Sequence, residues 1–183
     1  MFISQAKYLK YMFKTYGMEY CAPMSTPMTI YFKLSKDDDA PLIDTNLYRS
    51  IIGALLYLTA TRIDIMQVVG MVARFQSSPK QSHLAAVKII LRYLKGTNDF
   101  GLWYPKSSTL IVTAYFDADW AESVDDRKST SGNAFFMGDC LVSWLRKKQS
   151  SPFYRWSRIY SCCWLLYTNS MDEGSLEGCQ HRN

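Results

Sequence analysis

No apolar run in this chain could cross a bilayer: the longest, Ile51 to Leu58, falls far short of the ~20 residues that a spanning helix needs. The opening stretch MFISQAKYLKYMFKTYGMEY carries Lys and Tyr throughout. It lacks the unbroken apolar core and small-residue cleavage site of a secretory leader. A paired disulfide framework is missing as well, because the 5 cysteines are odd in number and scattered. Cys21 and Cys140 stand alone, while Cys162, Cys163 and Cys179 fall near the end. Internal repeats, heptads and low-complexity blocks are absent. Together these absences predict a reducing, intracellular setting, cytoplasm or nucleus, with no secretion and no membrane partner.

What is present is a globular composition. Over 183 residues, 48% are hydrophobic and 20% charged, enough to build one good core or two small ones. Lys and Arg number 21 against 16 Asp and Glu, for a net charge of +5. That balance permits a polyanionic partner without requiring one.

Residues 2 to 4 look like the end of a strand, whose other sheet members would lie upstream. Ser4 is placed to cap a helix with Ala6, Leu9, Met12 and Phe13 on one face, stopping near Gly17. From Cys21 to Thr45, Pro23, Pro27, Pro41 and the acidic run Asp37 to Asp39 predict an irregular connector. Three helices follow. Asp44 or Thr45 caps the first, with Leu47, Ile51, Leu55 and Leu58 inward; Asp64 starts the second, with Ile65, Val68, Val69 and Val72 inward. The third runs from about Pro79 to Lys95 and ends at Gly96. Leu84, Val87, Leu91 and Leu94 share one of its faces, and Gln81, Lys88, Arg92 and Lys95 share another. For that basic stripe two readings stay open, a solvated helix face or a surface that contacts phosphates.

From Phe100 the period changes to two. Gly101–Tyr104, Leu110–Asp117, Asn133–Met137 and Leu141–Trp144 are four strand candidates, with turns at Gly132, Gly138 and Asp139, and predict an antiparallel meander. After Gln149 the pattern is lost: SSPFYRWSRIYSCCWLLYTN has neither a helical nor a strand period. Residues 150–183 are therefore expected to pack poorly. The strand face bearing Val112, Ala114, Phe135 and Met137 is expected to be incompletely covered.

The segments MFISQAKY, STPM, YRSIIGALLYLTATRIDI, LRYLKGT and YFDADWAESVDDRKSTSG, in that order, resemble the C-terminal part of reverse transcriptase and the start of ribonuclease H in the Pol polyproteins of copia-type LTR retrotransposons. The resemblance covers residues 1 to about 149. It implies an α+β fold: a helical thumb and connection-like unit, followed by a truncated antiparallel β-meander like that of ribonuclease H. The end of the palm, the thumb and the connection would occupy residues 1–98, and ribonuclease H-like strands residues 99–149. Fingers and most of the palm have no counterpart in these residues, and the polymerase carboxylates lie in those parts of the family's enzymes. Two positions depart from the family pattern, Ile63 for the usual Pro and Asn133 for the usual Tyr.

On the nuclease side, the resemblance makes Asp117 the first catalytic, metal-binding carboxylate, with Asp119 a weaker candidate two residues on. Asp125 and Asp126 read more simply as a charged turn. The intact family uses Mg2+. One carboxylate cannot hold two ions that need several oxygen ligands, so no cofactor is expected here. Lys88, Arg92 and Lys95, with Arg127 and Lys128, are the candidates for gripping the backbone of an RNA:DNA hybrid or another nucleic acid. A working nuclease would need Asp172, Glu173 or Glu177 to supply the missing ligands.

In the family, Lys-Lys-Gln is followed by a helix that carries the second catalytic Glu. Here Lys147, Lys148 and Gln149 are followed by none of it. Pairing the last two bases of each codon with the first of the next makes Trp156–Ser157 Gly, and lets the run from Ser157 to Ser161 encode Ala, Glu, Tyr and Ile. A frameshift near the codons of Gln149 to Ser151 would account for this. Cys162, Cys163, Cys179 and His181 fit no zinc-ligand spacing. The aromatic cluster Phe153, Tyr154, Trp156, Tyr160, Trp164 and Tyr167, which could suggest base stacking, is better explained as an unselected translation.

Overall fold

The computed structural model describes residues 1–28, 34–106, 111–118 and 128–149. The expectations for Leu110, Asp119, Asp125, Asp126, Arg127 and all of 150–183 lie outside the described residues. Within them the order is β1 (Phe2–Ile3), α1 (Ala6–Thr15), α2 (Thr45–Leu58), α3 (Met66–Val72), α4 (Gln81–Gly96), β2 (Leu102–Trp103), β3 (Val112–Ala118), β4 (Thr130–Met137) and β5 (Cys140–Lys148), with single 3-10 turns at Ile63–Ile65 and Ala73–Phe75. The class is α+β.

The helices form because each carries one apolar stripe, and the stripes bury one another. Leu9, Met12 and Phe13 of α1 meet Ile51, Ile52, Leu55 and Leu58 of α2, Val68, Val69 and Val72 of α3, and Val87, Ile90, Leu91 and Leu94 of α4 in a single cluster. Burying each such side chain contributes ~1.5–3 kcal/mol. Asp44 caps α2, its Oδ1 accepting from Asn46 N at 2.9 Å. Two expectations are corrected on α1 and α2. The cap of α1 is Gln5, not Ser4, and makes no capping bond. Its amide is drawn toward α2 instead, donating to Tyr57 O at 3.2 Å and accepting from Thr61 Oγ1 at 2.7 Å. Leu47 is 45% exposed, and Tyr48 takes the inward place, its hydroxyl donating to Val72 O at 2.8 Å.

Helix α4 begins two residues later than Pro79. Ile43 N donates to Pro79 O at 3.1 Å and Gln81 N to Pro41 O at 2.9 Å, and these bonds hold 79–81 against the connector. His83 then completes the cap, its Nδ1 accepting from Lys80 N at 3.0 Å. That bond leaves the proton on Nε2, which donates to Ser35 O at 3.0 Å.

The strand stub at the start has a partner: Phe2 pairs with Trp103 and Ile3 with Leu102, antiparallel. The first of the four meander candidates therefore belongs with β1, and the meander has three strands, ordered β3-β4-β5. Gly101 makes the β1–β2 pairing possible, because a Cβ there would overlap Ile3 O and the Phe2 ring. In the three-stranded sheet Val112 lies opposite Met137 and Asp117 opposite Gly132, with a bulge between Phe135 and Phe136 on the β5 side. Trp144 Nε1 donates to Thr59 O and Arg74 to Thr130 Oγ1, each at 3.1 Å, tying the sheet to the helical unit, and Tyr104 Oη donates to Leu141 O at 2.7 Å, tying it to the end of β2. Among the described residues, no helix is long and apolar enough to cross a membrane.

Candidate functional site

Asp117 sits near the end of β3, which is paired on one side only among the described residues. Its side chain is exposed. Period-two alternation and the register put it on the face of Tyr115, whose ring meets Phe136 edge-on at 5.6 Å, and away from the face of Phe116 and Phe135. Two-metal nuclease chemistry needs several oxygen donors around ions ~3.5–4 Å apart. No group of three or more His, Cys, Asp or Glu gathers among the described residues.

The basic stripe on α4 is only partly turned to solvent. Lys88 is exposed. Arg92 Nε donates to Ala22 O at 2.7 Å, while Arg92 O accepts from Met24 N at 3.2 Å. Lys95 Nζ donates to Glu19 O and lies 5.8 Å from the centre of the Phe13 ring. These two side chains hold the 19–24 loop against α4. Gly96 lets that loop approach, since a Cβ there would stand 3.2 Å from Pro23 Cβ. Lys128 is half-buried at the start of the segment leading into β4.

The polar cluster that sequence reasoning missed lies in TATRIDI. Arg62 is 2% exposed. Its Nε and Nη2 donate to the two oxygens of Asp64 at 2.9 and 2.6 Å, and Nη1 and Nη2 donate to Thr97 O and Oγ1 at 2.8 and 2.6 Å. Tyr93 Oη donates to Asp64 Oδ2 at 2.8 Å, and Thr97 Oγ1 donates to Tyr93 O at 3.0 Å. Burial pushes the Asp64 carboxyl up, but the hydrogen bonds from Arg62 and Tyr93 and the guanidinium charge outweigh it and hold the carboxyl below its usual range. Burial, then Asp64 itself, raises the Tyr93 phenol. The network joins the α2–α3 turn to the end of α4. An Arg-x-Asp spacing before a helix was the available signal.

Similarity to known proteins follows the same segments. The chain is 41% identical over 147 residues to the retrovirus-related Pol polyprotein from transposon RE1 of Arabidopsis thaliana, a match covering 80% of this chain and 10% of that protein. It is 40% identical over 149 residues to an uncharacterized mitochondrial protein of the same plant, covering 81% of this chain and 62% of that one. Over 103 residues it is 43% identical to secreted RxLR effector protein 161 of Plasmopara viticola, covering 56% of this chain and 72% of that one. The chain belongs to the Pol polyproteins of copia-type retrotransposons. It spans about a tenth of the RE1 Pol polyprotein. No family model and no solved structure matches it.

The two departures from the Pol pattern differ in consequence. Ile63 is 37% exposed between Arg62 and Asp64 and leaves their ion pair intact. Asn133 buries its Oδ1 with no hydrogen-bond partner among the described residues, which costs ~1–3 kcal/mol.

Proposed function

We propose that this chain is a decayed Pol segment, the end of reverse transcriptase with thumb and connection in 1–98 and opening strands of ribonuclease H in 99–149, which cleaves no nucleic acid. The observation that carries this reading is the loss of the family pattern after Gln149, where the resemblance puts the helix bearing the second catalytic Glu. The Pol and mitochondrial matches, which cover 80% and 81% of the chain, support it by leaving about a fifth of the residues without a counterpart. Asn133 supports it too, because an unsatisfied buried amide is the kind of defect that selection for a working nuclease removes. The test is incubation of the purified chain with Mg2+ and an RNA:DNA hybrid, and no cleavage is expected. Cleavage abolished by Asp117→Asn would overturn the reading.

A residual grip on nucleic acid is the second reading. It is favoured by charge: the chain carries a net charge of +5, and Lys88 is exposed on α4. Attraction of this kind weakens steeply as salt rises. Absence of binding at low salt eliminates it.

A further inference from the structure

The acidic residues of the helical unit are confined to its loops and turns. Ala6–Thr15, Thr45–Leu58, Met66–Val72 and Gln81–Gly96 contain no Asp or Glu, while they carry Lys7, Lys10, Lys14, Arg49, Lys88, Arg92 and Lys95. On α4 two of these cations hold the 19–24 loop. On α1 none is so engaged: Lys7, Lys10 and Lys14 are exposed, and the described residues offer them neither an ion pair nor a hydrogen bond. At ~100° per residue these three and Tyr11 fall within an arc of about 100°, and Lys7 and Lys14 stand ~10 Å apart along the axis.

Aromatic rings lie along the same surface. Tyr11 is 66% exposed and Tyr57, on the neighbouring helix, 60%. Tyr8 lies between them, 6.5 Å from the Tyr11 ring and edge-on to Tyr57 at 4.9 Å. A lone exposed tyrosine needs no explanation. A row of three beside three uncompensated lysines is the composition that binds single strands, with cations along the phosphates and rings under the bases. A duplex keeps its bases stacked inside and offers such rings nothing.

We infer that the outer face of α1 with Tyr57 of α2 is a binding surface for single-stranded nucleic acid, Lys7, Lys10 and Lys14 contacting phosphates and Tyr11 and Tyr57 stacking on bases. The inference rests on the second reading above and moves its contact surface from α4 to α1.

The test is fluorescence anisotropy of a labelled oligothymidylate with the full chain across a salt series. A duplex of equal length and phosphatidylserine vesicles serve as competitors. The wild-type chain should bind the single strand in preference to both. Each phosphate contact contributes ~0.7 to the slope of log K against log salt on single strands, so Lys7→Gln/Lys10→Gln/Lys14→Gln should flatten that slope by about two. Tyr11→Ala and Tyr57→Ala should each weaken binding about ten-fold while leaving the slope unchanged. Lys88→Gln should change neither, and circular dichroism checks that each variant is folded. Binding that follows Lys88 and ignores the α1 lysines overturns this inference and leaves the second reading standing, as does preference for the duplex. No binding to any nucleic acid at low salt overturns both, and preference for the vesicles assigns the surface to a membrane instead.

Discussion

The helical unit and the three-stranded sheet treat their apolar residues in opposite ways. In the helices, Leu9, Ile52, Leu55, Ile65, Val69, Val87 and Leu94 are all at most 1% exposed, because the four stripes face one another and need no further cover. In the sheet, Val112, Tyr115, Phe116, Val142 and Leu145 stand 40–63% exposed. Among its described large or apolar side chains, only Phe135 and Cys140 are buried. A helix bundle closes its core with elements that adjoin in sequence, whereas a sheet needs a layer laid over its face, which its own strands cannot supply. Stability in the described residues is therefore concentrated before Tyr104.

The sharpest way to break this asymmetry is at Arg62. Removing one member of a buried ion pair leaves the other charge uncompensated, at a cost of ~3–5 kcal/mol. With the Asp64 side chain 30% exposed, Arg62→Met should cost about 3 kcal/mol, read as a lower urea midpoint of the helical signal. Arg62→Met/Asp64→Asn should recover part of that loss. The same pair sets an acid limit. The Asp64 carboxyl is held below its ordinary value of 3.8 when folded, so its contribution is present above that pH and is lost as pH falls through the depressed folded value. Acid unfolding of the wild type should thus steepen below about pH 4, and the double variant should lose that limb.

Paired truncations test the same contrast from both sides. Leu55→Ala, at a site fully buried in α2, should cost ~2–5 kcal/mol. Val112→Ala, on the open strand at 63% exposure, should stay within about 0.5 kcal/mol. Equal losses in thermal unfolding would mean that β3 is covered in solution.

The sequence was most legible where periodicity alone decides structure. Val68, Val69 and Val72 turn inward as their spacing predicts, and Asp44 caps α2. Periodicity does not decide where a distant partner intervenes. Pro79 stays outside α4 because Pro41 and Ile43 bond to its neighbourhood, and Leu102–Trp103 leaves the meander because Phe2–Ile3 lies beside it. Tyr48, an aromatic with a hydroxyl, does not stand out in a leucine period, although its one polar atom finds Val72 O. At the candidate site, Asp117 stands exposed near the end of β3. The engagement of Arg92 and Lys95 with backbone carbonyls is not legible in the sequence, since loop carbonyls carry no signature in side-chain sequence.

Asn133 offers the finest test, because it asks whether the sheet is weak by architecture or by drift. It stands directly opposite Phe116, with its amide oxygen buried and unsatisfied among the described residues. Restoring the family's aromatic by Asn133→Tyr removes that orphan acceptor and adds a cross-strand aromatic pair, itself worth ~0.2–1 kcal/mol. A gain of about 1 kcal/mol is expected, read as a higher unfolding midpoint of the β signal with the helical signal unmoved. If the variant gains nothing, the lost tyrosine is not what loosens these strands, and their exposed faces alone account for the contrast with the helices.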